Sequence, residues 1–536
     1  MNVRSLMSAV LLCGGAALFF TGCNETESVT PEGNTIVYKY DKSSPVSPDT
    51  AVTASSTSAP KASEDQKEWA ERYDQQIKQR EEAKKKAAAA KAERMRAALA
   101  KKGPKPTANP DDMKAAEAFV NSVKGSIKKS PSGAIIGLTM AASAAAAEDA
   151  AAEDAAENAE EGEAAPAAIN LTKEDMELIG KLTDLETISF EGSAFNDDTC
   201  APLANLKKLK SVTINNANIQ NATLEMLATL PELTLLDIRR DLKLENASLE
   251  ILQKMPKLEE LHAHYNKFTN SGMNKIAKVA TLKFVDVRGC ADVSDNGAKY
   301  LAKLPALEQV LFRFTITNAG VEHLAKAANL KYIEFQDCSD INAGAVPSFQ
   351  SMPSLTGIRF FRCKGVDDAT IEGLAQRQLE RLELRDLNLS NAALAALKNQ
   401  TGIKTAEFSE LASVDAAGLT ELLANLKGID KITFFTIALN DEGIKNLVAN
   451  NPNMKDLAAR AVPIDDAAID EILKLKNLVN LDLRSNNGIT ADGFLKLSEM
   501  KNLKKLYLKD TTITSKGNEA QLAELKAALP KTTFIQ

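Results

Sequence analysis

Two of the chain's three histidines, His262 and His264, stand two residues apart in "LEELHAHYNKF" (258–268). In an extended strand that spacing puts both imidazoles on one face, where they could donate two ligands to a zinc-like ion. No third Cys, His or carboxylate is placed by the sequence to complete a tetrahedron, so neither a metal nor any other cofactor is expected. No phosphate loop, dinucleotide fingerprint or nucleophile elbow occurs either, and the chain is not expected to be an enzyme. What recurs instead is arginine beside aromatic residues. His262, His264, Tyr265, Phe284, Arg288, Arg313, Phe314, Tyr332, Arg359, Phe361 and Arg362 fall in five successive extended stretches. These are the residue types from which interface hot spots are built, so the chemistry they suggest is recognition.

Those stretches belong to a repeat. The pattern apolar-x-x-apolar-x-apolar begins at Leu185, Leu209, Leu233, Leu258, Leu282, Leu307, Leu330, Leu355, Leu379, Ile403, Ile429, Met454, Leu478 and Leu503, in steps of 23 to 26 residues. After each strand pattern comes a turn, and in many units an aliphatic residue followed by a helix-capping type: Val293-Ser294, Ile316-Thr317, Val366-Asp367, Leu439-Asn440, Ile464-Asp465, Ile489-Thr490. About fourteen strand-turn-helix units follow, none of which can bury its apolar face alone. The expected fold is an α/β solenoid bent into a horseshoe, over residues 169–536.

At "LKKLYLKDTTITSKG" (503–517) and "LEQVLFRFTITNAGVEHL" (307–324) the pattern resembles leucine-rich repeats of the cysteine-containing kind, found in F-box substrate receptors and in bacterial envelope proteins. Such repeats carry Asn or Cys eight residues after the first strand position, bonding the turn backbone inside the stack. Cys290, Cys338, Cys363, Asn266 and Asn486 occupy that place, as do Thr315 and Thr511. Cys338 and Cys363 sit on adjacent rungs about 5 Å apart, within disulfide reach, and are expected to stay thiols unless their rotamers oblige. "EAQLAELKAALP" and "KTTFIQ" resemble the closing cap of such proteins, and "NLTKEDMELIGKL" supplies the first helix, capped by Thr172. Two fragments, "SIKK" (126–129) and "SDN" (294–296), match pieces of the serine β-lactamase set, but no "KTG" accompanies them.

Alternation along each strand assigns every second residue to the concave face. Asp237/Arg239, Asp286/Arg288, Glu383/Arg385 and Asp482/Arg484 are expected to neutralise one another there. Arg313 differs, because Leu311 stands where its in-strand acid would be. It is expected to lack compensation and to ask for an anionic group from a ligand. Glu260, Asp286, Glu334 and Asp337 balance the patch as a whole, which favours a protein or peptide partner over nucleic acid. With a net charge of -7 and 26% charged residues, the chain offers no bulk attraction to polyanions.

Ahead of the repeats, Arg4 and "SAVLLCGGAALFF" read as an export signal too short to span a bilayer comfortably. "FTGC" (20–23) resembles a bacterial lipobox, with Phe20 in the usual leucine's place. The resemblance implies cleavage after Gly22, acylation (palmitate among the chains) at Cys23, and a membrane-anchored lipoprotein. Asn24 resembles the signal for onward sorting to an outer membrane or its periplasmic face. Residues 23–62 read as a disordered tether rich in Ser, Thr and Pro, and 63–102 as a charged helix opened by a Ser63/Gln66 capping box. Residues 103–168 read as a hinge. It holds a helix over Asp111 to Lys128, a short Ala-rich helix over Ala134 to Ala147, and eight carboxylates without a base in 148–163. The chain is thus expected to be a lipid-anchored cell-envelope binding module. The alternatives are a structural spacer in an envelope assembly or an F-box-like adaptor.

Overall fold

A computed structural model describes residues 107–140 and 171–536, together with the backbone of a small antiparallel pair, Ser28–Val29 with Thr35–Ile36. The chain divides into two units, 1–101 and 102–536. Of the first, only that strand pair is described. Cys23, the tether, the charged helix at 63–102 and the acidic stretch at 148–163 lie outside the described residues. Among the described residues no helix is long and apolar enough to cross a membrane.

Among the described residues of the second unit, seventeen strands pair in sequence order, from Ser126–Lys129 to Thr533–Ile535. All neighbours are parallel except the opening hairpin, Ser126–Lys129 with Ile135–Met140. The two end strands each pair on one side only, so the sheet is open rather than a barrel. Fourteen of its strands begin two residues after the fourteen repeat positions, from Thr187–Glu191 through Lys505–Tyr507. This is the leucine-rich-repeat architecture: strands on one face, helices such as Asn318–Leu324 on the other, and a continuous apolar core between them.

Helix starts follow the capping residues. Thr317, Asp367, Asn440, Asp465 and Thr490 each accept a backbone N–H of the first turn. Ser294 makes no such bond; its hydroxyl is engaged by Asn270 of the preceding unit at 2.9 Å. The first helical residue of many units also accepts the next unit's capping N–H, as Asp295 does from Thr317 at 2.9 Å and Asp466 from Thr490 at 2.8 Å. This second ladder stitches neighbouring turns together.

The seventh residue after each repeat position is left-handed in all fourteen units. It is glycine only at Gly192 and Gly289; elsewhere φ lies between 46 and 77° at residues as bulky as Tyr265, Phe314 and Arg362. A side chain there costs about 1–2 kcal/mol, yet the geometry keeps the ladder intact while the chain turns. Tyr265 N–H donates to Arg288 C=O at 2.8 Å, Phe314 to Gln336 at 2.9 Å and Arg362 to Arg385 at 3.0 Å. The repetition of the bond is what holds the conformation.

Two expectations for residues 103–168 are corrected. The helix runs Pro110–Ser122, not to Lys128, because Lys124 turns left-handed and "SIKK" then continues as a strand. Ile135–Met140 is strand, not Ala-rich helix: it pairs with Thr187–Glu191 and buries Ile135, Leu138 and Met140. An open stack exposes its first core layer, and here Ala116, Val120 and this strand cover it against Met176 and Ile179. The 107–140 segment is tied on by Thr107, whose N–H and hydroxyl donate to Asp184 at 2.6 and 2.8 Å. At the other end Glu519–Ala528 and Thr533–Ile535 close the array.

Candidate functional site

Strand register sorts the concave side chains into columns. Four residues after the repeat position, Asp237, His262, Asp286, Leu311, Glu334, Arg359, Glu383 and Glu407 stand side by side on successive strands. Two residues further on the column is mainly basic, with Arg239, His264, Arg288, Arg313 and Arg385. Acids therefore face arginines across the sheet as well as along it. Arg239 grips Asp237 at 2.7 Å, Arg288 grips Asp286 at 2.9 Å and Arg484 grips Asp482 at 2.7 Å, as in-strand spacing implies. Glu383 takes Arg381 at 2.9 Å, and Arg385 reaches Glu410 at 2.6 Å.

Arg313 corrects a further expectation. Its Nε donates to Asp337 at 2.7 Å and its Nη1 to the Tyr265 hydroxyl at 2.6 Å, so it is compensated. Asp337 also accepts from Arg362 at 2.6 Å. Burial pushes Asp337's carboxyl up, but the hydrogen bonds from Arg362 and Arg313 outweigh it and leave the group below its usual range. In-strand bookkeeping misses this partner because Asp337 sits on the left-handed turn of the next unit.

Two tyrosines reach across a whole strand. The Tyr332 hydroxyl donates to Glu383 at 2.9 Å, over Gly357, where a Cβ would stand 2.8 Å from the ring. Tyr265 reaches Arg313 over Gly289 in the same way, a Cβ there falling 2.4 Å from its ring. Burial and the carboxylates of Glu383 and Glu334 hold the Tyr332 phenol well above its usual range. Arg381 stacks on that ring at 4.1 Å, and Arg362 and Arg385 flank the Phe361 ring at 4.0 and 4.5 Å.

The structure divides the sequence-derived patch. His264, Tyr332, Arg359 and Phe361 are buried, so they do not present open contact surface. His262, Tyr265, Phe284, Arg288, Arg313 and Arg362 are half-buried, and Phe314 is 42% exposed. Sequence reasoning missed Leu242, 53% exposed, and its exposed neighbour Arg240, which stacks on Tyr265 at 5.0 Å. An apolar residue just after the turn, where its neighbours are polar, was the available signal. The absence of a third metal ligand is also corrected, since Asp286 lies next to His262 in register and its oxygen is 3.0 Å from His264 Nδ1.

Behind the strands, the turn positions are packed. Asn266 donates to Ile238 and Ala263 carbonyls at 2.8 and 3.0 Å, and Asn486 to Ala459 and Leu483 at 2.6 and 3.0 Å. Cys290, Cys338 and Cys363 each direct a thiol at a carbonyl 3.3 Å away. All three are free thiols; burial pushes Cys290 up to about 12.

A family model described as a leucine rich repeat matches residues 280–302, one strand-turn-helix unit. No curated protein matches. Among solved structures, the yeast Rad7–Elc1 complex shares 17% identity over 68% of this chain and 88% of that one, with a TM-score of 0.45. An internalin from Listeria monocytogenes shares 16% over 62% and 88% (TM-score 0.37), and a Leptospira interrogans leucine-rich-repeat protein shares 14% over 67% and 92% (0.28).

Proposed function

We propose that this chain is a lipid-anchored binding module of a bacterial cell envelope, held by Cys23 at an outer membrane or its periplasmic face, which recognises a protein or peptide. The observation that carries the reading is the position of its exposed apolar side chains. Among the described residues, Leu242 and Phe314 are the large hydrophobics left exposed; Phe314 is the left-handed residue at the strand-to-turn edge of its unit, and Leu242 follows the corresponding residue, Arg240, by two. Arg240, Tyr265, Arg313 and Arg362 lie on the same edge between and beside them. An apolar anchor ringed by arginine and tyrosine fits a protein surface better than a polyanion, since Asp337 and Glu410 on the same edge would repel phosphates. The anchor rests on the "FTGC" resemblance.

Cross-linked capture from envelope extract tests the reading, with the parent compared against a Leu242→Ser/Phe314→Ser chain. A partner retained by the parent should be lost by at least about tenfold when two hot-spot anchors are removed. Equal retention by a folded variant would remove this edge as the interface.

A further inference from the structure

We propose that His262, His264 and Asp286 form a binding site for a divalent metal ion of the zinc class on the concave face. Each residue offers one ligand atom, and the three atoms lie within 4.8 Å of one another. The strand Glu260–His262 carries the first histidine, the residue pair after it carries the second on the same face, and Asp286 stands directly opposite His262 on the parallel neighbour. His264 Nδ1 and Asp286 Oδ2 are already 3.0 Å apart. Zinc ligands at their usual bond lengths lie about 3.3 Å from each other around a tetrahedron, so closure needs only His262 to swing inward. His262 is the half-buried member, while His264 and Asp286 are buried and fixed.

The surroundings suit a cation. Asp237 adjoins His262 in register, and Glu260 Oε1 lies 3.3 Å from His262 Nε2, available as a further oxygen ligand. Arg288 holds the carboxylate in place, its backbone N–H and Nε donating to Asp286 Oδ1 at 3.0 and 3.1 Å and its Nη2 to Oδ2 at 2.9 Å. Outer groups that orient a ligating carboxylate in this way are a regular part of metal sites. The carboxylates of Asp237, Glu260 and Asp286 outnumber the guanidiniums of Arg239 and Arg288, leaving room for added positive charge. Two imidazoles and one carboxylate favour zinc or a similar first-row ion over calcium or magnesium. The site stands whether or not the neighbouring edge binds a protein.

The test uses the untagged full chain, stripped of metal by chelation, titrated with Zn2+ by calorimetry and with Co2+ by visible absorption. One equivalent should bind, with intense low-symmetry d–d bands for Co2+. His262→Gln should weaken binding by more than the ~100-fold that losing an outer-shell group can cost. Because His262 is only half-buried, that variant should keep the parent's apo unfolding transition, and His323→Gln, on the outer helix, should bind as the parent does. Absence of Zn2+ uptake by the parent, uptake unchanged in His262→Gln, or loss of uptake in His323→Gln would each overturn the proposal.

Discussion

Asp241→Asn is expected to stabilise the array by about 4 kcal/mol at neutral pH, the free energy of keeping a buried carboxyl protonated about three pH units above its usual range. Asp241 occupies the buried turn position that Asn266 and Asn486 hold in other units. Its Oδ1 accepts from Ala217 N–H at 2.7 Å, as Asn486 Oδ1 accepts from Val462 N–H at 3.0 Å. The asparagines direct their NH2 at two carbonyls, but Asp241 Oδ2 has no partner. Burial, with the charge of Asp237 adding to it, pushes Asp241 up to about 8 from the usual 3.8. The folded chain therefore holds a proton that the unfolded chain releases. Stability from that proton is full below about pH 3.8 and falls by about 1.4 kcal/mol per pH unit until pH nears 8. Denaturation midpoints of parent and variant should converge near pH 4 and separate as pH rises. A separation that stays constant with pH would show that Asp241 is ionised in the fold.

Phe335→Ala should cost about 3–5 kcal/mol, the usual loss for a fully buried phenylalanine. The ring lies between Phe312 and Phe360, stacked at 6.3 and 5.9 Å, with the Phe349 ring edge-on at 6.3 Å. Three consecutive strands and the helix Val346–Ser351 thus meet on one side chain. A solenoid passes stability between neighbours, so the damage should be local. Amide exchange should accelerate from Gln309 through Phe361 and remain unchanged in the strands from Lys431 onward. Uniform acceleration along the chain would mean that the array unfolds as one cooperative block.

Much of the fold was legible because a repeat announces its own register. The apolar pattern of each unit marks a strand, and all fourteen strands are present, each beginning two residues into the pattern. The opening hairpin was not read, although "SIKKSPSGAIIGLTM" alternates around a Ser-Pro-Ser-Gly turn, because the alanines that follow Met140 suggested helix. Its partner, Thr187–Glu191, is also distant in sequence. At the candidate site, alternation identified which side chains face inward but not how deeply they sit. Phe361 and Phe314 stand one register position apart, six and seven residues after their repeat positions, yet one is 3% exposed and the other 42%. Strand register is the missing link: it sets Asp286 beside His262, while the turn after Gln336 delivers Asp337 to Arg313.

Photocross-linking in the native envelope tests the central claim most directly. A benzophenone amino acid replaces Phe314 in one full-length chain and Lys326 in another; both residues are exposed and belong to the same repeat, but Lys326 follows the outer helix. Binding at the strand-to-turn edge requires a discrete cross-linked protein or peptide from position 314 and none from 326. The same product from 326 alone, or equally from both, would place recognition on another face.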